Sequence, residues 1–346
     1  MSDWIDACPK VELHLHFEGA VPLDVWHRMA LARGAIPQAE TLERFERRFQ
    51  TRSFRGFIKN WLWCCALFRT AGDLRDAARA VACELARQNI LYAELYVSPA
   101  PFLRAGFALE PLIHGIVEGL ASCPQVETRL LIDLARDRGP GAAGRIVDDV
   151  IALAHPKVVG IGLGGTEAGF PPDPFAGVFR KARDAGLGLS AHAGEHAGAE
   201  SIRAAIEKLG ATRIGHGIAA LGDARLCDRL RDGGIPLEIC LSSNLRTGAV
   251  SSLADHPAKR LYDAGVPITI NSDDPAMFMT SLTRELRLAR DLLGLGERDI
   301  AAMLALAAAR SFAEAPLKKA LRQAFGERVT PPRGGRGHPA GRRPGS

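Results

Sequence analysis

Residues 10–21 read "KVELHLHFEGAV", an apolar run that carries histidine at alternate positions, His14 and His16, with Glu18 just beyond. Val, Leu and Phe at this density predict a buried strand, and in a strand side chains two apart project from the same face. Both imidazoles therefore point one way, at the end of an otherwise apolar element.

Seven further runs of this kind follow: "ILYAELYVS" (90–98), "ETRLLIDLA" (127–135), "VVGIGLGG" (158–165), "GLSAHAGE" (188–195), "RIGHGI" (213–218), "PLEICLSSN" (236–244) and "VPITINSDDP" (266–275). Helix-length stretches such as "GRIVDDVIALAH" (144–155) and "DARLCDRLRDGG" (223–234) separate them, and several close with Gly, where a left-handed cap belongs. Strands that alternate with helices pair in parallel, because each return needs a crossover. Eight such units in 346 residues predict an α/β fold, a (β/α)8 TIM barrel, in preference to an open doubly wound sheet.

The domain reading is one catalytic barrel over 1–315 with a helical insertion at about 22–89. Within that insertion, "FIKNWLWCCALFRT" (57–70) is expected to pack over the barrel mouth or flank, with Trp61, Trp63 and Phe68 as core rather than as a ligand platform. Residues 316–346 read as a basic tail, expected to be disordered from about 330, where Pro, Gly and Arg leave nothing to bury. From Leu317 onward eight Lys or Arg face a single acid, so the formal charge of +5 belongs to this tail and gives no reason to expect specific nucleic-acid binding. No apolar run reaches the roughly 20 residues that span a bilayer, and "MSDWIDACPK" lacks a signal-peptide pattern; the expectation is a cytoplasmic protein. Seven cysteines with no C-x-x-C pair argue against a disulfide framework or a cysteine zinc site.

A parallel barrel displays its chemistry at the carboxyl ends of its strands. His14 and His16 end the first strand, His192 with Glu195 the fifth, His216 the sixth, and Asp273 with Asp274 the eighth. Three imidazoles and a carboxylate at one rim suit Zn2+, with Fe2+ or Co2+ compatible with the same donors. An ion there lowers the pKa of a bound water from 15.7 to about 7. His216 can then orient or deprotonate that water, and Glu195 can protonate a substrate. "GIGLGGTE" has no lysine to bridge a second metal, so a single ion is expected, and its glycines offer bare backbone to a flat ligand. A rival reading takes "HAGEH" (192–196) as the H-x-x-E-H helix of a zinc protease, but its glycines and the strand before it oppose a helix there. Four further histidines, His27, His114, His155 and His256, read as packing or surface residues, and "SSN" (242–244) as hydrogen-bonding support at the rim.

With "ELHLHFEGAV", "AHAGE", "RIGHG", "CLSSN" and "NSDDPAMF" in this order, the chain resembles the adenosine and adenine deaminase family over about residues 8–312. The resemblance implies one zinc ion on His14, His16, His192 and Asp273, Glu195 as proton donor, and His216 as the residue that positions water. It further implies that Asp274 meets purine nitrogen 7 and the backbone amide of Gly165 nitrogen 3, with His16 and Glu18 also facing substrate. The implied reaction replaces the 6-amino group of a small purine by oxygen and releases ammonia. Adenosine is the favoured substrate, with adenine or aminodeoxyfutalosine as alternatives. Glu18 stands where adenosine-specific members commonly carry an aspartate that contacts the ribose 5′-hydroxyl; it could reach a ribose, fill its space or hold solvent. Outside this class, the zinc protease and a non-catalytic purine sensor remain as readings.

Overall fold

The computed structural model describes residues 3–325. Eight strands, β1 Lys10–His16, β2 Ile90–Val97, β3 Glu127–Ala135, β4 Val158–Gly164, β5 Gly188–Ala193, β6 Arg213–His216, β7 Leu237–Ile239 and β8 Ile268–Ile270, follow one another in chain order around a single sheet. Every neighbouring pair is parallel, as the (β/α)8 barrel reading requires. All seven residues of β1 are buried, because a parallel barrel covers both faces of each strand.

The ring closes where β8 meets β1. The Asp273 N–H donates to the His14 carbonyl at 3.0 Å, and the His16 N–H donates to the Asp273 carbonyl at 2.8 Å. Deeper in the barrel a side chain replaces the ladder: Asn271 Oδ1 accepts from the N–H groups of Leu13 at 3.0 Å and His14 at 3.2 Å.

The glycine punctuation is as the sequence implies. Gly186, Gly210, Gly234 and Gly265 sit at positive φ, from +59° to +83°, where a helix ends and the chain turns into the next strand. One boundary differs. β7 stops at Ile239, and Leu241–Thr247 is a helix, so "SSN" is not the end of a strand. Ser and Asn hydrogen-bond locally and pack poorly on a pleated surface, which ends the strand as soon as its apolar residues run out.

Between β1 and β2 lie the helices Phe17–Ala20, Leu23–Ala32, Leu42–Glu46, Phe54–Cys65 and Ala71–Arg87. Phe54–Cys65 crosses the barrel mouth. Its Phe54, Phe57 and Trp61 line the central cavity, so Trp61 is more than the core residue the sequence suggests, whereas Phe68 lies in the core and the half-buried Trp63 packs against it. At the other end the chain stays packed past 315: Ala315–Ala324 is a helix that buries Leu321, and Phe325 is buried just after it. The disorder expected from about 330 lies outside the described residues. Among those residues no helix is long and apolar enough to cross a membrane. All seven thiols are free, and six are buried.

Asn271→Ala should leave the Leu13 and His14 amides without acceptors at the barrel seam and destabilise the metal-free protein by about 2–4 kcal/mol. Urea unfolding checks this; a midpoint unchanged from the parent chain would show that the seam does not depend on Asn271.

Candidate active site and metal centre

Strand geometry brings His14, His16, His192 and Asp273 together at the barrel mouth, with one potential ligand atom from each lying within 4.8 Å of the others. His16 Nε2 and His192 Nε2 are 3.1 Å apart, and the Nε2 atoms of His14 and His16 are each 3.3 Å from Asp273 Oδ1. Two imidazole nitrogens this close cannot both carry a proton. His14 is oriented by its own hydrogen bond: Nδ1 donates to the carboxylate of Glu238 at 2.8 Å, so Nε2 is the nitrogen turned to the cluster, where it is buried without a hydrogen-bond partner. Burial pushes His16 down to about 4 and His192 well below the usual imidazole range, so both are neutral and free to ligate. Burial also opposes charge on His14, but Asp273 and Glu238 outweigh it and push that group up to about 10. The pocket demands a positive charge, and its N3O donor set fits a divalent ion of the zinc type.

A buried ionic column stands beneath this cluster. Arg213 pairs with Glu238 at 2.7 Å and with Glu94 at 2.6 Å, and its guanidinium lies 3.9 Å from the Phe312 ring centre. Tyr96 stacks on His16, with ring centres 5.1 Å apart, and its hydroxyl donates to Ser190 at 2.9 Å. Gly162 makes room for it, since a Cβ there would lie 2.5 Å from the Tyr96 ring.

Glu195 and His216 share the same cavity. Thr247 Oγ1 at 3.0 Å and Asn244 Nδ2 at 3.3 Å both donate to Glu195 Oε1, which leaves Oε2 facing His216 Nε2 at 3.7 Å and His196 Nδ1 at 3.1 Å. Burial raises the Glu195 carboxyl, but neighbouring His216 and then the hydrogen bond to His196 outweigh it and hold the group below its ordinary value. The direction of the remaining bonds follows from their donors. The Ala258 N–H donates to His256 Nδ1 at 3.1 Å, so His256 carries its proton on Nε2 and donates to Asn244 Oδ1 at 3.1 Å. That fixes the Asn244 amide, whose Nδ2 then donates to His216 Nδ1 at 3.1 Å. His216 accordingly keeps its own proton on Nε2, the edge that faces Asp273 at 3.9 Å.

The loop bearing Glu195 is held by a residue of the glycine turn. Glu167 is buried and accepts from the N–H groups of Gly194, Glu195, His196 and Ala197 at 2.5–3.1 Å, and from Ser201 Oγ at 2.6 Å. Residues 194–197 are thus a turn rather than a helix, and the protease reading loses the shared helical face it needs.

Of the substrate residues expected from the sequence, Gly165 and Asp274 line the cavity and Glu18 does not. Gly165 has φ +86°, and a side chain there would also meet Asp137 Oδ1 at 2.9 Å. Asp274 is buried with Oδ1 unpartnered among the described residues, and Gly19 packs so closely that a Cβ would lie 1.9 Å from that oxygen. Glu18 is fully buried, and its Oε1 accepts the Ser98 N–H at 2.9 Å.

Sequence reasoning does not find Tyr96, Glu238, Arg213 or the holding role of Glu167, and it reads His256 as a packing residue. Their signal was present but weak. Charged or aromatic residues interrupt otherwise apolar strands at Glu94, Tyr96 and Glu238, a pattern an apolar barrel interior alone does not require.

A family model described as adenosine deaminase matches residues 9–327. An adenine deaminase of Rhizobium meliloti (strain 1021) is 36% identical over 315 residues, covering 90% of this chain and 96% of that protein. Among solved structures, adenine deaminase from Arthrobacter aurescens superposes with a TM-score of 0.87 at 30% identity, covering 92% of this chain and 98% of that one. An amidohydrolase from Burkholderia ambifaria with bound zinc gives 0.85 at 26% identity, covering 93% and 90%.

Glu238→Gln should free the His14 tautomer and weaken metal binding by roughly 10–100-fold, the usual cost of losing a partner that orients a ligand. Competition against a chromogenic chelator measures it; unchanged affinity would show that Glu238 does not orient His14.

Proposed function

The chain belongs to the adenosine deaminase family of metal-dependent hydrolases acting on purine C–N bonds, and from that premise we propose that it hydrolyses free adenine to hypoxanthine and ammonia. Family membership places it among enzymes rather than silent purine sensors. The observation that carries the mechanism is the placement of Glu195 and His216 in one cavity with His16, His192 and Asp273, three of the four candidate ligands. Adenosine is favoured by the sequence alone, but two of the three relatives above are adenine deaminases. Glu18 supports the same choice: sealed from the cavity and tied to Ser98, it fills space instead of offering a carboxylate to a ribose.

His14, His16, His192 and Asp273 would hold the metal, and zinc suits their donors and is bound in the Burkholderia relative. Such an ion supplies Lewis acidity that brings a water to deprotonation near neutral pH. The chain's own residues do the rest. Asp274 and the Gly165 amide hold the ring at nitrogen 7 and nitrogen 3, with carbon 6 toward the ligand cluster. His216 donates from Nε2 and orients the oxygen that attacks carbon 6. Glu195 begins as a carboxylate, so it must gain a proton before it can donate one; it takes that proton from the attacking water and passes it to ring nitrogen 1. The remaining water proton leaves with the amine as ammonia, and the 6-oxopurine stays behind. Asn244 and Thr247 keep Glu195 Oε1 occupied, so Oε2 is the oxygen left to carry the proton.

A spectrophotometric screen of the zinc-loaded protein with adenine, adenosine and aminodeoxyfutalosine should give the highest kcat/KM with adenine; adenosine equal to or better than adenine would overturn the substrate assignment. Glu195→Gln should lower turnover by roughly 10²–10⁴-fold while zinc content is kept, the weight of a positioned proton donor. Asp273→Ala should lower zinc occupancy, and metal analysis showing a full complement in that variant would remove Asp273 from the ligand set.

A further inference from the structure

Asp133, on β3, is a polar group of the cavity that the chemistry above leaves unused. It is 5% exposed. Ser98, just after β2, holds one of its oxygens, with Oγ donating to Asp133 Oδ2 at 3.0 Å, while the backbone N–H of the same Ser98 secures Glu18. Asp133 Oδ1 has no partner among the described residues. β4 makes space for this carboxylate with glycine: a Cβ at Gly164 would lie 2.5 Å from Oδ2, and one at Gly162 3.3 Å from Oδ1. Burial, partly offset by the Ser98 bond, pushes Asp133 up to about 6, so it is an acceptor at neutral pH. A buried carboxylate oxygen without a donor is costly, and a ligand that brings one would relieve it.

The order of atoms in a purine says which donor that is. With carbon 6 at the ligand cluster, nitrogen 1 meets Glu195 after β5 and nitrogen 7 meets Asp274 after β8. The perimeter between them runs through carbon 2, nitrogen 3, carbon 4, nitrogen 9 and carbon 8, while the barrel runs through β4, β3, β2 and β1. Nitrogen 3 falls to Gly165 after β4. The next nitrogen, nitrogen 9, falls to Asp133 on β3 with Ser98 beside it. In a free 6-aminopurine that nitrogen can carry hydrogen; in a nucleoside it carries carbon.

We propose that Asp133, held by Ser98, is a specificity-determining residue that accepts the N9–H of a free purine base. The inference rests on the adenine reading of the site. Asp133 thus recognises a donor that only the unsubstituted base possesses, and Glu18 closes the space behind it.

The test uses adenine and 9-deazaadenine, an isostere with carbon in place of nitrogen 9. In the zinc-loaded enzyme, Asp133→Asn should raise KM for adenine roughly 10–100-fold, the weight of a hydrogen bond to a charged group, with kcat kept within about threefold. The inhibition constant of 9-deazaadenine should move by less than about threefold, because that ligand offers Asp133 no N–H; this also cancels the effect of its altered nitrogen 7. Ser98→Ala should shift the adenine KM in the same direction by a smaller factor, and it provides the readout if Asp133→Asn does not fold. Equal loss of both ligands would mark a structural role and overturn the proposal, as would an unchanged KM for adenine. A selective effect on 2,6-diaminopurine would place Asp133 at carbon 2 and overturn it too. A parent enzyme inactive on adenine but active on adenosine would overturn the substrate reading and this proposal together, which is distinct from an adenine-active enzyme indifferent to Asp133.

Discussion

The contact on which the rest depends is the seam between the last strand and the first. Asp273 is inserted between His14 and His16 by two backbone hydrogen bonds, at 3.0 and 2.8 Å, and those three residues supply three of the four candidate ligands. Closing the barrel and assembling the candidate metal centre are one event. Asp273 adopts φ +64°, a conformation that non-glycine residues seldom take. That turn aims the carboxylate inward at the imidazoles while the next residue, Asp274, also faces the cavity. His216, at φ +59°, uses the same device at the end of β6. Two local strains at functional positions are thus sustained by a barrel that leaves the chain no other path.

What lies below the seam explains why so polar a rim survives in a parallel barrel. His14, Glu238, Arg213 and Glu94 form a continuous buried chain of alternating charge, capped by the ring of Phe312 and by the Tyr92 hydroxyl, which donates to Glu94 at 2.8 Å. Desolvating such groups offsets most of their mutual attraction, so the column is weak evidence for stability. Its consequence is orientation: with Glu238 anchored on Arg213, the Nδ1 proton of His14 has one place to go, and Nε2 is aimed at the cluster before any ion arrives.

The elements that made the fold legible were those governed by local chemistry. Apolar strands, amphipathic helices and Gly at helix ends are written into short windows, and the barrel follows from counting them. The candidate ligands were legible for the same reason, since His-x-His on a strand and an aspartate pair after another are polar groups where an interior strand should be apolar. Asn244 and His256 could not be placed in the same way. Their contact spans 12 residues and depends on β7 giving way to a helix at Leu241, which turns Asn244 and Thr247, three apart, toward Glu195. Arg213 and Glu94 are separated by over a hundred residues and meet only inside the closed ring. Trp61 illustrates the converse: an amphipathic helix announces its apolar face, but not that the face roofs a cavity.

Around the mouth, the work divides by arc. β1, β5 and β8 carry the candidate ligands. β6, the helix after β7 and the turn after β5 carry His216, Asn244, Thr247 and Glu195, whose bonds decide where protons reside. In the arc from β2 to β4, Tyr96 packs on His16 and Glu167 holds the Glu195 loop, but Ser98, Asp133 and the glycines that accommodate them touch none of those bonds. A change of base or nucleoside preference can therefore be made there while the metal and proton machinery stays intact. In this arc the buried carboxylate of Asp133 lacks a donor for Oδ1, as Asp274 does after β8, and a ligand rather than the protein can supply one. An adenine-accepting site built this way would reject a nucleoside by two independent means, an acceptor without a donor and a filled ribose space, and neither alters the atoms that react.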